Sequence, residues 1–312
     1  MPPVHVTQPL VITITKNFAI SGVHRIGEFV AEELLKLKAE GRVSSVVLLT
    51  RGRSDGTLDK LASLGATIAT VDWSAPATVT AALTSNHVDV VISCLPAPAL
   101  HLHMALADAA KEAGVKLFLP SEWGTVSSAG KERGEGHEWF TSNQQKLHQK
   151  LRDIGLPYLL VFNGCWSDFI FNTMFGWDVP NGKVDIWGAG NGPISYTHRR
   201  DVGRFVAHVL TTLPPEQLYW KELPIEGDRK IWQGYEAKTG RKLQVTYHPL
   251  SEQEAVMRDN PNTSIPYILA WGYVSWDKGD GVLVKSDEEL ANKLWPEWNP
   301  TPAVDALVET YS

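Results

Sequence analysis

Two glycines bracket the segment Gly22-Val-His-Arg-Ile-Gly27, which follows an apolar run and opens an amphipathic stretch. In a dinucleotide-binding turn the first glycine makes the bend and the last lets helix pack on strand. A middle glycine lets the backbone approach a pyrophosphate resting on the helix N-terminus. Here His24 stands where the middle glycine belongs, which leaves Gly22, His24, Arg25, Ile26 and Gly27 as candidate cofactor contacts. A plain strand–helix turn is the alternative reading of the same pair. Downstream, Leu49-Thr-Arg-Gly-Arg53 closes a second apolar run. A carboxylate at such a strand end selects the free ribose hydroxyl of NAD, whereas arginine accommodates the 2′-phosphate of NADP. Arg51 and Arg53 therefore point to NADP, against the alternative of two solvated loop arginines.

Other chemistries lack their residues. None of the eight tyrosines is followed four positions on by lysine, and there is no Gly-x-Ser-x-Gly elbow and no P-loop lysine. Gly188-Ala-Gly-Asn-Gly192 resembles a phosphate loop, but a strand-like segment follows it, so a reverse turn is the better reading. His101 and His103 lie two apart on an expected helix, where they do not share a face, and no metal site is expected.

The elements that must position these residues alternate through the first half. Strands are expected at residues 18–22, 46–50, 66–71, 88–94, 115–119 and 158–162, with helices at 27–37, 58–64, 75–83, 101–114 and 143–155. That rhythm implies an α/β fold with a doubly wound, mostly parallel sheet and right-handed crossovers. Beyond Asn163 the rhythm breaks, and eleven of the twelve tryptophans follow residue 120. We therefore expect an N-terminal extension at 1–12, a dinucleotide-binding domain at 13–162, and a smaller irregular substrate domain at 163–196 and 214–312. A helix at 197–213 should return to the sheet. Some of the tryptophans are expected to line a pocket for a flat ligand, and most to serve as packing.

Composition narrows the partners. The 312 residues carry 29 Lys plus Arg against 35 Asp plus Glu, a net charge of −6, so no basic stripe for nucleic acid is available. Two cysteines, each within an apolar run, exclude a disulfide framework. No run is long enough for a membrane span, and the first residues resemble neither a signal nor a transit segment. A cytoplasmic protein with a small-molecule substrate is the expectation.

Taken together, the residues resemble the NmrA-like and isoflavone-reductase-like branch of the short-chain dehydrogenase superfamily, in a form similar to fungal members. The likeness rests on Ala109 to Gly124 (ending Leu-Pro-Ser-Glu-Trp-Gly), Gly155 to Gly164, Thr197 with Asp201-Val-Gly-Arg204, and the tail 292–302 with Trp295-Pro-Glu-Trp298. It implies a Rossmann domain holding NADP, a small C-terminal domain over the substrate, and reductase activity on aromatic or other specialised metabolites. It also implies a catalytic lysine on the helix after the fifth strand, although some members bind dinucleotide and turn nothing over.

Two departures bear on that chemistry. The glycine loop is one residue short and lacks its central glycine, which Arg25 could offset through charge-assisted hydrogen bonds to phosphate. Counting back from Leu156-Pro-Tyr158 puts Gln144 in the place of the lysine, and Gln is neither acid nor base. Lys146 lies two residues on, turned about 200° around a helix. The resulting expectation places the nicotinamide near Cys94, Leu95 and Pro96. The substrate would lie among Ser121, Trp123, Asn163, Gly164, Trp166 and Phe169, with Lys146, His137 or Glu122 handling protons. Two alternatives stand beside the reductase: a non-redox cyclase, isomerase or dehydratase with NADP structural or absent, and a non-catalytic dinucleotide sensor.

Overall fold

A computed structural model describes residues 16–52, 56–95, 101–127, 138–229 and 232–311. The N-terminal extension 1–12 and the candidate residues Arg53, Pro96 and His137 lie outside the described residues.

In chain order the first half runs β1 (Lys16–Ser21), α1 (Ile26–Ala39), β2 (Val43–Thr50), α2 (Gly56–Ser63), β3 (Thr67–Thr70), α3 (Pro76–Ser85), β4 (Val90–Ser93), α4 (His101–Glu112), β5 (Leu117–Leu119), α5 (Glu138–Asp153) and β6 (Leu159–Phe162). There follow β7 (Cys165–Trp166), β8 (Trp177–Asp178), β9 (Lys183–Trp187), β10 (Tyr196–Thr197), α6 (Arg199–Thr212), β11 (Lys221–Pro224), α7 (Trp232–Thr239), β12 (Gln244–His248), α8 (Leu250–Asp259), α9 (Ile265–Asp277) and α10 (Ala303–Thr310).

The first five strands make one parallel sheet in the order β3-β2-β1-β4-β5. A bridge from Phe118 to Tyr158 joins β6 beyond β5, and β11 pairs in parallel with β6. Alternation along β1 builds both faces, because successive strand side chains point to opposite sides. Phe18 and Ile20 join the core under α1, α2 and α6, whereas Ala19 joins the core under α3, α4 and α5. All four residues of β4 are buried, as a strand covered on both faces requires. This is the doubly wound arrangement expected from the sequence, and its two halves diverge between β1 and β4. In doubly wound sheets the loops at such a switch point flank a crevice beyond the strands' C-terminal ends.

α6 lies against α1, and Gly203 permits the approach: a Cβ there would come within 2.7 Å of the Phe29 carbonyl oxygen. The helix begins at Arg199 rather than Thr197, because Thr197 is held in β10 beside β7 and His198 is the cap. The His198 Nδ1 accepts from the Arg200 N–H at 3.0 Å. Past β6 the chain forms a separate three-stranded sheet, β12-β9-β8. A third core of Ile170, Phe171, Trp177, Val184, Tyr196 and Leu307, among others, lies in this region.

Candidate cofactor and substrate site

The β1–α1 turn is shaped by its two glycines. Gly22 has φ of 83°, and a Cβ there would sit 2.5 Å from the Cys94 carbonyl oxygen. A Cβ on Gly27 would sit 2.1 Å from the Gly22 carbonyl oxygen, so α1 closes directly onto the end of β1. Between them Val23 and Ile26 are buried, while His24 and Arg25 are exposed. Arg25 takes φ 59° and ψ −110° as the helix cap, a conformation suited to glycine that costs another residue about 1–3 kcal/mol. The missing central glycine is thus felt at Arg25 as backbone strain, and the His24 imidazole is turned to the surface.

The Arg25 side chain makes no capping hydrogen bond to α1, whose Gly27 N–H reaches the His24 carbonyl at 3.3 Å. An uncapped helix start with arginine at the cap fits an anionic pyrophosphate. Arg51, at the end of β2, is exposed, with Gly52 at φ 81° beside Thr70.

The ends of β4 and β5 are tied together. The Ser121 hydroxyl donates to the Leu95 carbonyl at 2.9 Å, and the Trp123 indole N–H donates to the Ser93 carbonyl at 2.9 Å. Beneath them, Ser21 Oγ lies 3.3 Å from Ser93 Oγ, which in turn lies 3.4 Å from His103 Nδ1. Burial pushes the His103 pKa down to about 4, so the ring is neutral. Burial likewise raises the Cys94 thiol well above its usual range, which removes it as a nucleophile.

Glu122 is buried, and both its carboxyl oxygens are engaged. The Ser127 hydroxyl donates to Oε2, and His148 Nε2 lies 2.7 Å from Oε1. His148 is carried by α5 and its ring lies 5.6 Å from that of Tyr158. Gln144, one helical turn earlier on the same face, is also buried, and among the described residues its Oε1 has no hydrogen-bond partner. Lys146 is exposed, turned away from that face. The structure therefore brings Glu122 to His148 and does not bring Lys146 to either. His148 was missed in the sequence, although its spacing from Gln144 already put both on one face of a helix.

The Gly124 carbonyl accepts from the N–H groups of Asn163 and Gly164, both at 3.0 Å. This fixes the β5 loop against the end of β6. Gly164, at φ 65°, lets β10 pass closely, since a Cβ would meet the Ser195 carbonyl oxygen at 2.2 Å. Trp166 and Phe169 then flank the Arg199 guanidinium, at 5.7 and 5.8 Å from their ring centres, while Asp168 accepts from Arg199 Nε at 2.9 Å. Hence Gly22, Arg51, Leu95, Ser121 and Asn163 all follow the C-terminal ends of parallel strands, along one edge of the sheet.

Adjoining Phe169 is a cavity of about 590 Å³ that sequence reasoning did not locate. Its walls include Phe175, Trp177, Trp187, Tyr273 and Trp276, with Arg229 among its polar groups. Phe175, one of its walls, meets the Phe169 ring edge-on at 6.0 Å. Tryptophan-rich composition was the only hint of it.

The family profile described as "NmrA-like family" matches residues 19–301. The chain is 30% identical to asnovolin J 5′,6′-dehydrogenase of Aspergillus novofumigatus over 64% of its own length and 62% of that protein's. It is also 30% identical to pinoresinol reductase 1 of Arabidopsis thaliana, over 67% of its length and 70% of that protein's. The match thus spans a little under two thirds of the fungal relative. Among solved structures, the binary complex of leucoanthocyanidin reductase with NADPH from Vitis vinifera superposes with a TM-score of 0.80 at 19% identity, covering 94% of this chain and 99% of that one. That likeness establishes the fold. The chain belongs to the NmrA-like family.

Proposed function

We propose that the protein binds NADP in the crevice between β1 and β4 and acts as an NADPH-dependent reductase of an aromatic or polyketide-like small molecule. The observation that carries this reading is the β1–α1 turn: Gly22 and Gly27 are packed as a dinucleotide turn needs, and His24 is directed to the surface. Arg51 would take the 2′-phosphate, and the uncapped α1 N-terminus with Arg25 the pyrophosphate. NADPH supplies the hydride in such a reaction. Residues 163–196 and 214–312 would form the substrate side, with Trp166 and Phe169 at its threshold. The names of the two relatives, a dehydrogenase and a reductase, agree with this class of chemistry.

Within that site Glu122 is a positioning group. Both its oxygens are engaged by Ser127 and His148, which fixes the β5 loop on α5. Gln144 would orient substrate by accepting a hydrogen bond at Oε1 rather than exchange a proton. Protons would come from solvent or from His137.

The test is loss of NADPH absorbance with a panel of aromatic ketones and conjugated enones. Consumption that depends on the ketone supports the reading, and consumption abolished with NADH in its place supports Arg51. Bound NADPH that no panel member oxidises would favour the second reading, a non-redox catalyst with NADP as a structural ligand. Gln144 in the place implied for lysine is the observation on that side.

A further inference from the structure

The walls and the charges of the aromatic cavity favour the same sign of ligand. Trp187 and Tyr273 form one wall, with ring centres 4.5 Å apart, and Trp276 meets Tyr273 edge-on at 5.6 Å. The face of an aromatic ring is the negative end of its quadrupole, so such walls attract a cation and repel an anion. Two carboxylates, Asp185 and Asp277, are lining residues of the same cavity.

Each carboxylate has one oxygen to spare. Asp185 Oδ1 lies 2.9 Å from His248 Nε2, and Asp277 Oδ1 accepts from the Ala189 N–H at 2.6 Å. Among the described residues neither Oδ2 has a partner, and neither is buried; the Asp185 side chain is 48% exposed. Arg229 is the one cation among the described lining residues, and its charge is already taken up. Its Nε lies 2.6 Å from Glu226 and its Nη1 2.8 Å from Asp287, while Nε and Nη2 are buried. Behind the wall Glu252 accepts from the Trp187 indole N–H at 3.2 Å. His248 lies against both Asp185 and Glu252, so as an imidazolium it would add one charge shared between two carboxylates. Five carboxylates (Asp185, Asp277, Glu252, Glu226 and Asp287) thus stand against Arg229 and His248. The Tyr273 hydroxyl reports the same field, since burial first and then the Asp185 charge push its pKa up to about 12.

We propose that this cavity binds an organic cation, a protonated amine carried on a flat ring system. The ring lies against Trp187 and Tyr273, the ammonium donates to the free oxygen of Asp185, and Asp277 adds to the attracting field. Apolar walls strengthen that attraction by keeping water from the charges. The volume, about 590 Å³, suits a ligand of a few fused rings. Such a site goes beyond the reductase reading and does not require that the protein hold NADP.

Calorimetric titration near pH 7 with three probes of one shape tests it: 2-(aminomethyl)naphthalene, which is a cation there, the neutral 2-naphthalenemethanol, and the anion 2-naphthoate. The amine should bind at least about tenfold more tightly than the alcohol, and naphthoate most weakly. Asp185→Asn keeps an oxygen for His248 and removes the charge; it should weaken the amine about tenfold and leave the alcohol within twofold. Asp277→Asn keeps the acceptor for Ala189 and should weaken the amine a few-fold. An alcohol affinity that survives in either variant shows that the cavity is intact. Equal affinity of amine and alcohol, tighter binding of naphthoate, an amine affinity that ignores Asp185→Asn, or equal loss of amine and alcohol in that variant overturns the proposal. NADPH titration of the same sample separates this reading from the reductase. Protein that binds NADPH without preferring the amine has no cation site, whereas the stated preference in protein that does not bind NADPH keeps the cation site and removes the reductase.

Discussion

The Arg25 guanidinium lies 5.6 Å from the centre of the Phe169 ring, so the strained cap of α1 is held by the segment that borders the aromatic cavity. The loop that lost its glycine is therefore braced from across the crevice, and the same ring is contacted by Arg199. An Arg25–Phe169 contact is worth about 0.5–1 kcal/mol at an exposed site. Relief of the positive φ returns about 1–3 kcal/mol, of which the freer unfolded glycine takes back about 0.5–1 kcal/mol.

Arg25→Gly should consequently leave stability within about 0.5 kcal/mol, because release of strain offsets loss of the contact. Arg25→Ala keeps the strain and loses the contact, and should cost about 1 kcal/mol. Denaturant midpoints of the two variants check this, and both should weaken NADPH binding if Arg25 meets the pyrophosphate. A Gly variant less stable than the Ala variant would contradict the strain assignment.

Glu122 and His148 should behave as one unit. His148→Phe removes one partner from a buried carboxyl group and should cost about 3 kcal/mol or more. Lys146→Ala, on the exposed face of the same helix, should change stability by less than about 0.5 kcal/mol and leave turnover intact. Thermal melts and initial rates distinguish the two residues; loss of activity in Lys146→Ala would return the proton to that lysine.

Acid should find His103. Its folded pKa, about 4, lies below the ordinary 6.5, so the unfolded chain binds the extra proton first. The neutral ring's contribution is complete above pH 6.5 and is lost as pH falls toward 4, to a limit of about 3 kcal/mol. His103→Gln should flatten the difference in stability between pH 7 and pH 4.5 relative to wild type. An identical pH dependence in the two proteins would rule out His103 as the sensor.

Gly203→Ala tests how the site is held in place. The added methyl would meet the Phe29 carbonyl, and forcing α6 from α1 should cost about 1–3 kcal/mol. As Phe29 also carries the Arg199 guanidinium at 5.1 Å, the shift should reach the crevice and reduce NADPH affinity along with stability. Unchanged melting would show that the helices separate freely.

Local pattern made the first half legible. Buried runs such as Val90-Val-Ile-Ser93 and the two glycines of the first turn signal parallel strands and a dinucleotide turn without tertiary information. The start of α6 was misplaced by two residues because Thr197 pairs with Trp166, a long-range contact that no local rule reports. His148 was overlooked because its partner Glu122 comes from another element, although its helical face was readable. The cavity was illegible for a similar reason. Phe175, Trp187, Arg229 and Tyr273 meet only after β7 to β10 and α9 have packed, and nothing in their spacing announces it.

Calorimetric titration of the purified protein with NADPH and then NADH tests the proposed dinucleotide site most directly. We expect saturable binding of NADPH that is at least about tenfold tighter than that of NADH, with the difference erased by Arg51→Ala. Absence of binding by either nucleotide, or equal affinity for both, would contradict the account.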